Sequence, residues 1–127
     1  MAVDAPATKD DRIGRPPFIP GTPEALDAVI AAPGNHEVLI ENGRVRVVRV
    51  TIQPGELEKM HTHKWPSVFI ITRLPKIVYY TEKMEAVPPS GTRREGVPMW
   101  IEPEGVHAVE NVDTRMFEGI RVELKER

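Results

Sequence analysis

The stretch that decides the fold is Pro54-Gly55-Glu56-Leu57-Glu58-Lys59-Met60-His61-Thr62-His63. It opens on a Pro-Gly turn and ends with two histidines just before an apolar strand. Side chains alternate between the two faces of a strand, so His61 and His63 project from the same face. Two imidazoles that share one space form half of a metal site.

A second turn, also followed by a strand, supplies a third histidine. This segment reads Glu102-Pro103-Glu104-Gly105-Val106-His107 and continues to Asn111. The chain contains no cysteine, so nitrogen and oxygen atoms must hold any transition metal. The candidate metal ligands are therefore His61, His63 and His107.

Composition limits the class of protein. The chain has 127 residues, of which 40% are hydrophobic and 28% charged, as expected for one packed domain. The net charge is −2, which argues against a nucleic-acid partner. No apolar run approaches the ~20 residues of a membrane helix, and the first residues lack the pattern of a secretory signal. We therefore expect a cytoplasmic protein.

The chain divides into an arm and a barrel domain. Residues 1–20 are rich in proline and predict an extended arm that either packs on a partner subunit or is partly disordered. Residues 21–127 form the domain. It begins with one short helix of about three turns, with Thr22 as N-cap and Pro23 at the first position. Pro33-Gly34 ends that helix.

The remainder of the chain alternates between strands and turns. The predicted strands are 36–40, 45–52, 60–63, 68–72, 76–81, 98–101, 108–112 and 116–124. Val47-Val48 breaks the alternation of the second strand, which predicts a bulge or burial on both faces. In the last strand an apolar set, Met116, Ile120, Val122 and Leu124, is interrupted only by Glu118. Short strands at this spacing favour an all-β sandwich or barrel.

The two histidine segments together resemble the motifs of the cupin family. In the first motif a glycine precedes His-x-His by five residues, as Gly55 precedes His61 here. The second motif contains Pro-x-Gly, histidine and asparagine, matched by Pro103, Gly105, His107 and Asn111. The resemblance implies a single-domain jelly-roll β-barrel with a metal inside it, and a homodimer formed through the N-terminal arm.

The first motif departs from the family at its glutamate ligand. That position falls near Ser67, and no acidic residue lies between Lys59 and Thr81. The sequence therefore predicts a three-histidine variant, in which Ser67, Glu102, Glu104 or water fills the fourth position. Three neutral imidazoles leave the charge of a divalent ion uncompensated, which favours an anionic oxygen-donor ligand.

The predicted cofactor is a divalent transition metal, with iron first and zinc, nickel, manganese or copper as alternatives. Some three-histidine cupins, as the resemblance implies, are iron dioxygenases that act on diketones or aromatic acids. We therefore expect a mononuclear, non-haem, dioxygenase-like enzyme for a small anionic or diketone-like molecule. The alternatives are a non-catalytic barrel that binds or senses a small molecule and, third, a sugar isomerase or epimerase.

Other side chains receive secondary assignments. Trp65 and Trp100 flank the two motifs and are candidates for the pocket wall, together with Ser67. His36 stands alone at the start of a predicted strand and is read as structural or solvent-exposed.

Overall fold

The computed structural model describes residues 15–88 and 93–125. Within these residues, a 3-10 turn and a one-turn helix are followed by nine strands. The 3-10 turn is Glu24–Leu26 and the helix α1 is Ala28–Ala31. The strands are β1 His36–Glu41, β2 Val45–Ile52, β3 His61–His63, β4 Ser67–Arg73, β5 Ile77–Thr81, β6 Ala86–Val87, β7 Met99–Ile101, β8 Glu104–Asn111 and β9 Phe117–Leu124.

The strands form two sheets, in which every pairing between strands is antiparallel. The first sheet has the order β1-β2-β9-β4-β7 and the second the order β3-β8-β5-β6. The predicted all-β jelly roll with one short N-terminal helix is confirmed. Among the described residues, no helix is long and apolar enough to cross a bilayer.

Most strands lie close to their predicted bounds, and the differences are local. Strand β8 begins at Glu104, so His107 lies inside the strand rather than before it. Strand β6 was not predicted. The irregularity expected at Val47-Val48 lies in the partner strand, because the pairing register shifts between Val38 and Ile40 of β1. Strand β2 itself alternates regularly between buried and half-buried residues.

The prediction of a helix of about three turns is wrong. The 3-10 turn and α1 are separated by Asp27, whose backbone is extended at φ −59° and ψ 140°. Asp27 forms an isolated bridge with Thr62, and its carboxylate accepts hydrogen bonds from Arg46. These long-range contacts hold the residue out of the helical conformation that local sequence favours.

The register of the first sheet arranges its inward side chains in rows. Ile52 pairs with Phe117 at one end of the interior, and Arg46 pairs with Glu123 at the other. We call these the apolar end and the charged end. Between them Gly119 faces Phe69, and a Cβ at position 119 would lie 2.6 Å from the Phe69 ring. The inward face of β9 therefore carries two charges, whereas its more apolar set faces outward and is half-buried.

The described part of the N-terminal arm lies against the start of β8. Gly105 N donates to Pro16 O at 2.9 Å, and Phe18 N donates to Pro103 O at 3.3 Å. A Cβ at Gly105 would lie 2.6 Å from Pro17 O, so this close approach requires glycine. The remainder of the predicted arm, residues 1–14, lies outside the described residues.

Candidate metal centre

All four histidines of the chain meet in one buried cluster. His61 and His107 are opposite one another in the β3–β8 pair, with ring centroids 4.5 Å apart. His63 follows on the same strand, 4.9 Å from His61. His36, at the start of β1, reaches into the cluster from the other sheet, with its ring 4.6 Å from His61. His36 is thus neither alone nor exposed, because its side chain is buried among the other three rings.

Three of these rings are oriented by backbone carbonyls. The Nδ1 atoms of His36, His61 and His107 lie 3.0, 2.7 and 2.7 Å from the carbonyl oxygens of Ala32, Lys59 and Gly105, respectively. A carbonyl oxygen can only accept, so each Nδ1 carries the proton and each Nε2 presents a lone pair. Burial lowers the pKa of all four histidines, to about 4 for His36, which keeps the rings neutral.

Glu58 brings a carboxylate to the histidines. Its Oε1 lies 3.6 Å from His61 Nε2, and its Oε2 lies 3.9 Å from His36 Nε2. Val109 N donates to Oε1 at 3.1 Å, but Oε2 has no hydrogen-bond partner. Burial raises the pKa of Glu58 to about 8. A buried carboxyl oxygen without a partner is costly unless a cation or a proton occupies the space beside it.

Glu104 is a second buried carboxylate, but its oxygens are already bonded. Arg121 donates to Oε1 at 2.8 Å, and the Tyr79 hydroxyl donates to Oε2 at 3.0 Å. Arg15 of the arm lies 3.5 Å from Oε2. Burial alone would raise the pKa of Glu104, but the guanidinium groups of Arg121 and Arg15 hold it well below its usual range. The Tyr79 ring also stacks on His107 at 4.7 Å, so this cluster fixes one wall of the site.

His63 is oriented differently from the other three rings. Its Nδ1 has no hydrogen-bond partner and lies 3.6 Å from Glu123 Oε2. Glu123 accepts a short hydrogen bond from Arg46 Nε at 2.5 Å, and Arg46 also pairs with Asp27 at 3.0 Å. A carboxylate behind a metal-ligating histidine is a common supporting arrangement, because it orients the ring and raises its basicity.

The donor set fits a divalent transition metal. Three groups of side chains have their ligand atoms within 4.8 Å of one another: His36, His61 and His63; Glu58, His61 and His107; and His63, Glu104 and His107. Two donors that are each ~2.1 Å from one ion lie at most ~4.2 Å apart, so small side-chain movements would bring them into coordination. His61 Nε2 and Glu58 Oε2 are buried without hydrogen-bond partners, as metal-ligating atoms would be once the metal is removed. Imidazole and carboxylate donors suit iron, zinc, manganese, nickel or copper.

A cavity of about 370 Å³ opens next to these side chains. The four histidines, Glu58, Glu104 and Arg121 line its inner part. Most of the remainder is apolar and includes Ile52, Leu74, Ile77, Val109 and Phe117, while Arg15, Tyr79, Lys76 and Arg93 add polar groups. Exposed Lys76 and Pro88 also border the cavity, which places its opening at the apolar end.

The structure brings His61, His63 and His107 together, whereas the predicted pocket residues Ser67, Trp65 and Trp100 do not line the cavity. Ser67 is fully buried beneath the cavity and accepts a hydrogen bond from Arg121 Nε at 3.1 Å. Trp65 packs against Arg46, Lys64 and Lys125 rather than lining the cavity. Trp100 donates to Glu102 at 2.8 Å, also away from the wall.

Sequence reasoning missed two side chains that could act as metal donors, His36 and Glu58, and the positive group Arg121. Glu104, one of the side chains left open for the fourth position, is buried beside the histidines, and so is Glu58, which was not considered. One signal was present in β9, where Arg121 and Glu123 share the face of Phe117. Glu58 lies three residues before His61, where alternation along a strand would place the two side chains on opposite faces. The structure instead pairs Glu58 with Val109 and brings its carboxyl group to His61.

The fold has clear structural relatives. A cupin domain from Bordetella pertussis Tohama I superposes with a TM-score of 0.60 at 20% identity, over 90% of this chain and 99% of that one. This chain has the cupin fold. An RmlC-like cupin from Methanocaldococcus jannaschii gives a TM-score of 0.53 at 17% identity, over 70% of this chain and 77% of that one.

A third relative is a conserved protein with a double-stranded β-helix domain from Klebsiella pneumoniae. It gives a TM-score of 0.52 at 18% identity, over 72% of this chain and 84% of that one. The sequence itself matches no protein-family model and no curated protein. At these identities the similarity establishes the cupin fold, and the chemistry must be argued from this chain's own residues.

Proposed function

We propose that this cupin is a mononuclear metal-dependent enzyme, dioxygenase-like in its chemistry, that acts on a small anionic or diketone-like molecule. One observation carries the proposal: neutral histidines from two sheets converge on the Glu58 carboxyl group, whose Oε2 has no hydrogen-bond partner, at the inner end of a cavity. A solvated set of surface histidines would show neither the burial nor the carbonyl-fixed tautomers.

His61, His63 and His107 are the proposed metal ligands, and His36 and Glu58 complete the donor set. A bound divalent metal would supply Lewis-acid polarisation of a chelated substrate and, if it is iron, reaction with dioxygen. The chain itself contributes orientation, because the carbonyls of Ala32, Lys59 and Gly105 hold three of the rings. The apolar part of the wall would limit the access of water to the inner end.

Glu58 has a further role in this proposal. Its raised pKa lets Oε2 carry a proton at neutral pH when no cation is beside it. Metal binding would displace that proton and leave the carboxylate as a ligand. Metal affinity should therefore fall in Glu58→Gln, which keeps the shape of the side chain but has no charge to offer.

The test begins with elemental analysis of protein purified without a histidine tag. After iron loading, oxygen uptake is followed with a panel of diketones, 2-oxo acids and hydroxy acids. We expect one metal per chain and uptake that His107→Ala abolishes. Metal without uptake for any substrate would instead support a non-catalytic binding protein.

Two variants test the donor set itself. Full metal occupancy in His61→Ala would contradict the proposed centre. Glu58→Gln should weaken metal binding, whereas Glu56→Gln should leave it unchanged, because the Glu56 carboxylate caps a turn through Gln53 N, outside the cavity wall.

A further inference from the structure

The cavity wall has two chemically distinct parts, which limits what kind of molecule it can hold. Its inner part carries the histidines, Glu58 and Arg121, and its outer part carries Ile52, Ile77 and Phe117. The register explains the division, because Ile52 pairs with Phe117 at the far end of β2 from Arg46. A ligand that fills this cavity must therefore have a polar head and an apolar body.

The charged side chains around the inner part of the cavity determine the charge that the polar head of the ligand should have. Three buried guanidinium groups face three buried carboxylates: Arg46 pairs with Asp27 and Glu123, and Arg121 and Arg15 pair with Glu104. These groups neutralise one another. A divalent ion beside the Glu58 carboxylate then leaves one positive charge, which a singly charged anion balances in a region of low dielectric constant.

The outer part offers little to a polyhydroxylated ligand. Besides the groups of the inner part, the polar side chains among the described lining residues are Lys76, Arg93, Tyr79 and Arg15. Tyr79 and Arg15 are engaged with Glu104, and Lys76 and Arg93 belong to the segments at the cavity opening. Hydroxyl groups buried against Ile52, Ile77 and Phe117 would lose their hydrogen bonds to water without replacement. A sugar is therefore a poor occupant, whereas a hydrocarbon or aryl group loses nothing by entering.

We infer that the cavity selects an amphiphilic monoanion, whose oxygen-donor head chelates the metal and whose hydrocarbon or aryl body lies against Ile52, Ile77 and Phe117. This inference rests on the proposed function for the metal, and it adds the charge and the apolar body of the substrate. The cavity of about 370 Å³ is within the size range of small-molecule sites.

The test compares three 2-hydroxy acids that share one chelating head. Lactate has a small body, 3-phenyllactate an aryl body, and malate a second carboxylate. Binding is measured by isothermal titration calorimetry on the full chain loaded with Zn²⁺, which permits chelation without turnover. Burial of the phenyl group should make 3-phenyllactate bind at least about tenfold more tightly than lactate. Malate should bind no more tightly than lactate.

A pair of variants on β5 locates the apolar subsite. Ile77→Thr should reduce the preference for 3-phenyllactate over lactate at least about threefold, while lactate affinity stays unchanged. Val78→Thr is the matched control, because Val78 is the next residue of the same strand and does not line the cavity. Circular dichroism verifies that both variants are folded.

The outcomes separate the inference from the proposed function. Zn²⁺-dependent lactate binding with equal or weaker 3-phenyllactate binding would overturn the inference and leave the metal centre standing. Tighter binding of malate than of lactate would contradict the inference that the ligand carries a single negative charge. Failure of the chain to bind Zn²⁺ would remove the proposed function, and failure of every acid to bind the loaded chain would overturn the inference alone.

Discussion

The two ends of the barrel interior are built from the same strands, yet they are stabilised in different ways. At the apolar end β2 and β9 contribute Ile52 and Phe117, which pack in the hydrophobic core. At the charged end the same strands contribute Arg46 and Glu123, which are equally buried but joined by a hydrogen bond. The same strand register thus produces one end whose stability depends on apolar packing and another whose stability depends on complete pairing of buried charges.

This difference indicates how the barrel supports its candidate metal centre. Side chains of the charged end continue directly into the site, through Glu123 behind His63 and Arg121 beside Glu104. The apolar end provides the cavity wall. Substitutions at the charged end should therefore lower the free energy of unfolding most, because a buried charge that loses its partner is not rehydrated.

The largest effect is expected for Arg46→Met. This substitution leaves Asp27 and Glu123 buried without their guanidinium partner, and breaking such a buried pair costs about 3–5 kcal/mol of unfolding free energy. Urea denaturation of the purified variant measures the loss.

Arg49→Met on the same strand is the control for this change. The Arg49 side chain is 42% exposed and pairs loosely with Glu37 and Glu118, at 3.4 and 3.6 Å. Its loss should cost no more than about 1 kcal/mol. Equal losses in the two variants would show that the charged end contributes no more than a surface ion pair.

The second effect concerns the histidines that lie between the two ends. In metal-free protein the pKa of His36 is about 4, below the 6.5 of an unpaired histidine, so the unfolded chain binds more protons between these values. As far as His36 is concerned, the free energy of unfolding should be highest above pH ~6.5 and should fall as the pH decreases toward ~4. The loss of unfolding free energy due to His36 is on the order of 3 kcal/mol. The lowered pKa values of the other three histidines act in the same direction.

Glu58 should act with the opposite sign. Its folded pKa of about 8 lies above the ordinary 4.5, so its contribution is present below pH 4.5 and is lost as the pH rises through 8. Urea midpoints of chelator-treated protein across both windows measure the two slopes. His36→Gln should flatten the acid limb, and Glu58→Gln should remove the loss on the alkaline side. A midpoint independent of pH in the acid window would contradict the burial of neutral rings.

The smallest effect is expected at the boundary between the two ends. An added Cβ in Gly119→Ala would lie 2.6 Å from the Phe69 ring, so the ring must move, at a cost of about 1–3 kcal/mol. Thermal unfolding detects the change. In Gly34→Ala, by contrast, nothing lies within 4 Å of the new Cβ, and we expect little change or a small gain. A neutral Gly119→Ala would mean that the Phe69 ring is loosely packed.

Local sequence was sufficient to predict most strands and the pair of histidines that forms half of the candidate metal centre. The His-x-His spacing alone places His61 and His63 on one face, because strand geometry has a period of two. It could not reveal His36, which joins the cluster only because β1 and β3 belong to sheets that face each other. The length of the helix was overestimated for the same reason. Asp27 contacts Arg46 and Thr62, and helix propensity, which depends only on neighbouring residues, does not include such contacts.

The sequence by itself determined an all-β chain with histidines aligned on strands, because alternation and turn residues act over only a few positions. The tertiary structure alone decided which face of β9 points inward. Periodicity separates the Ile120 face from the Arg121 face but does not say which is enclosed. Enclosing Arg121 and Glu123 is tolerable only where Glu104, Ser67 and Arg46 arrive from other strands to satisfy them. Those partners are distant in the chain, so only folding could bring them there.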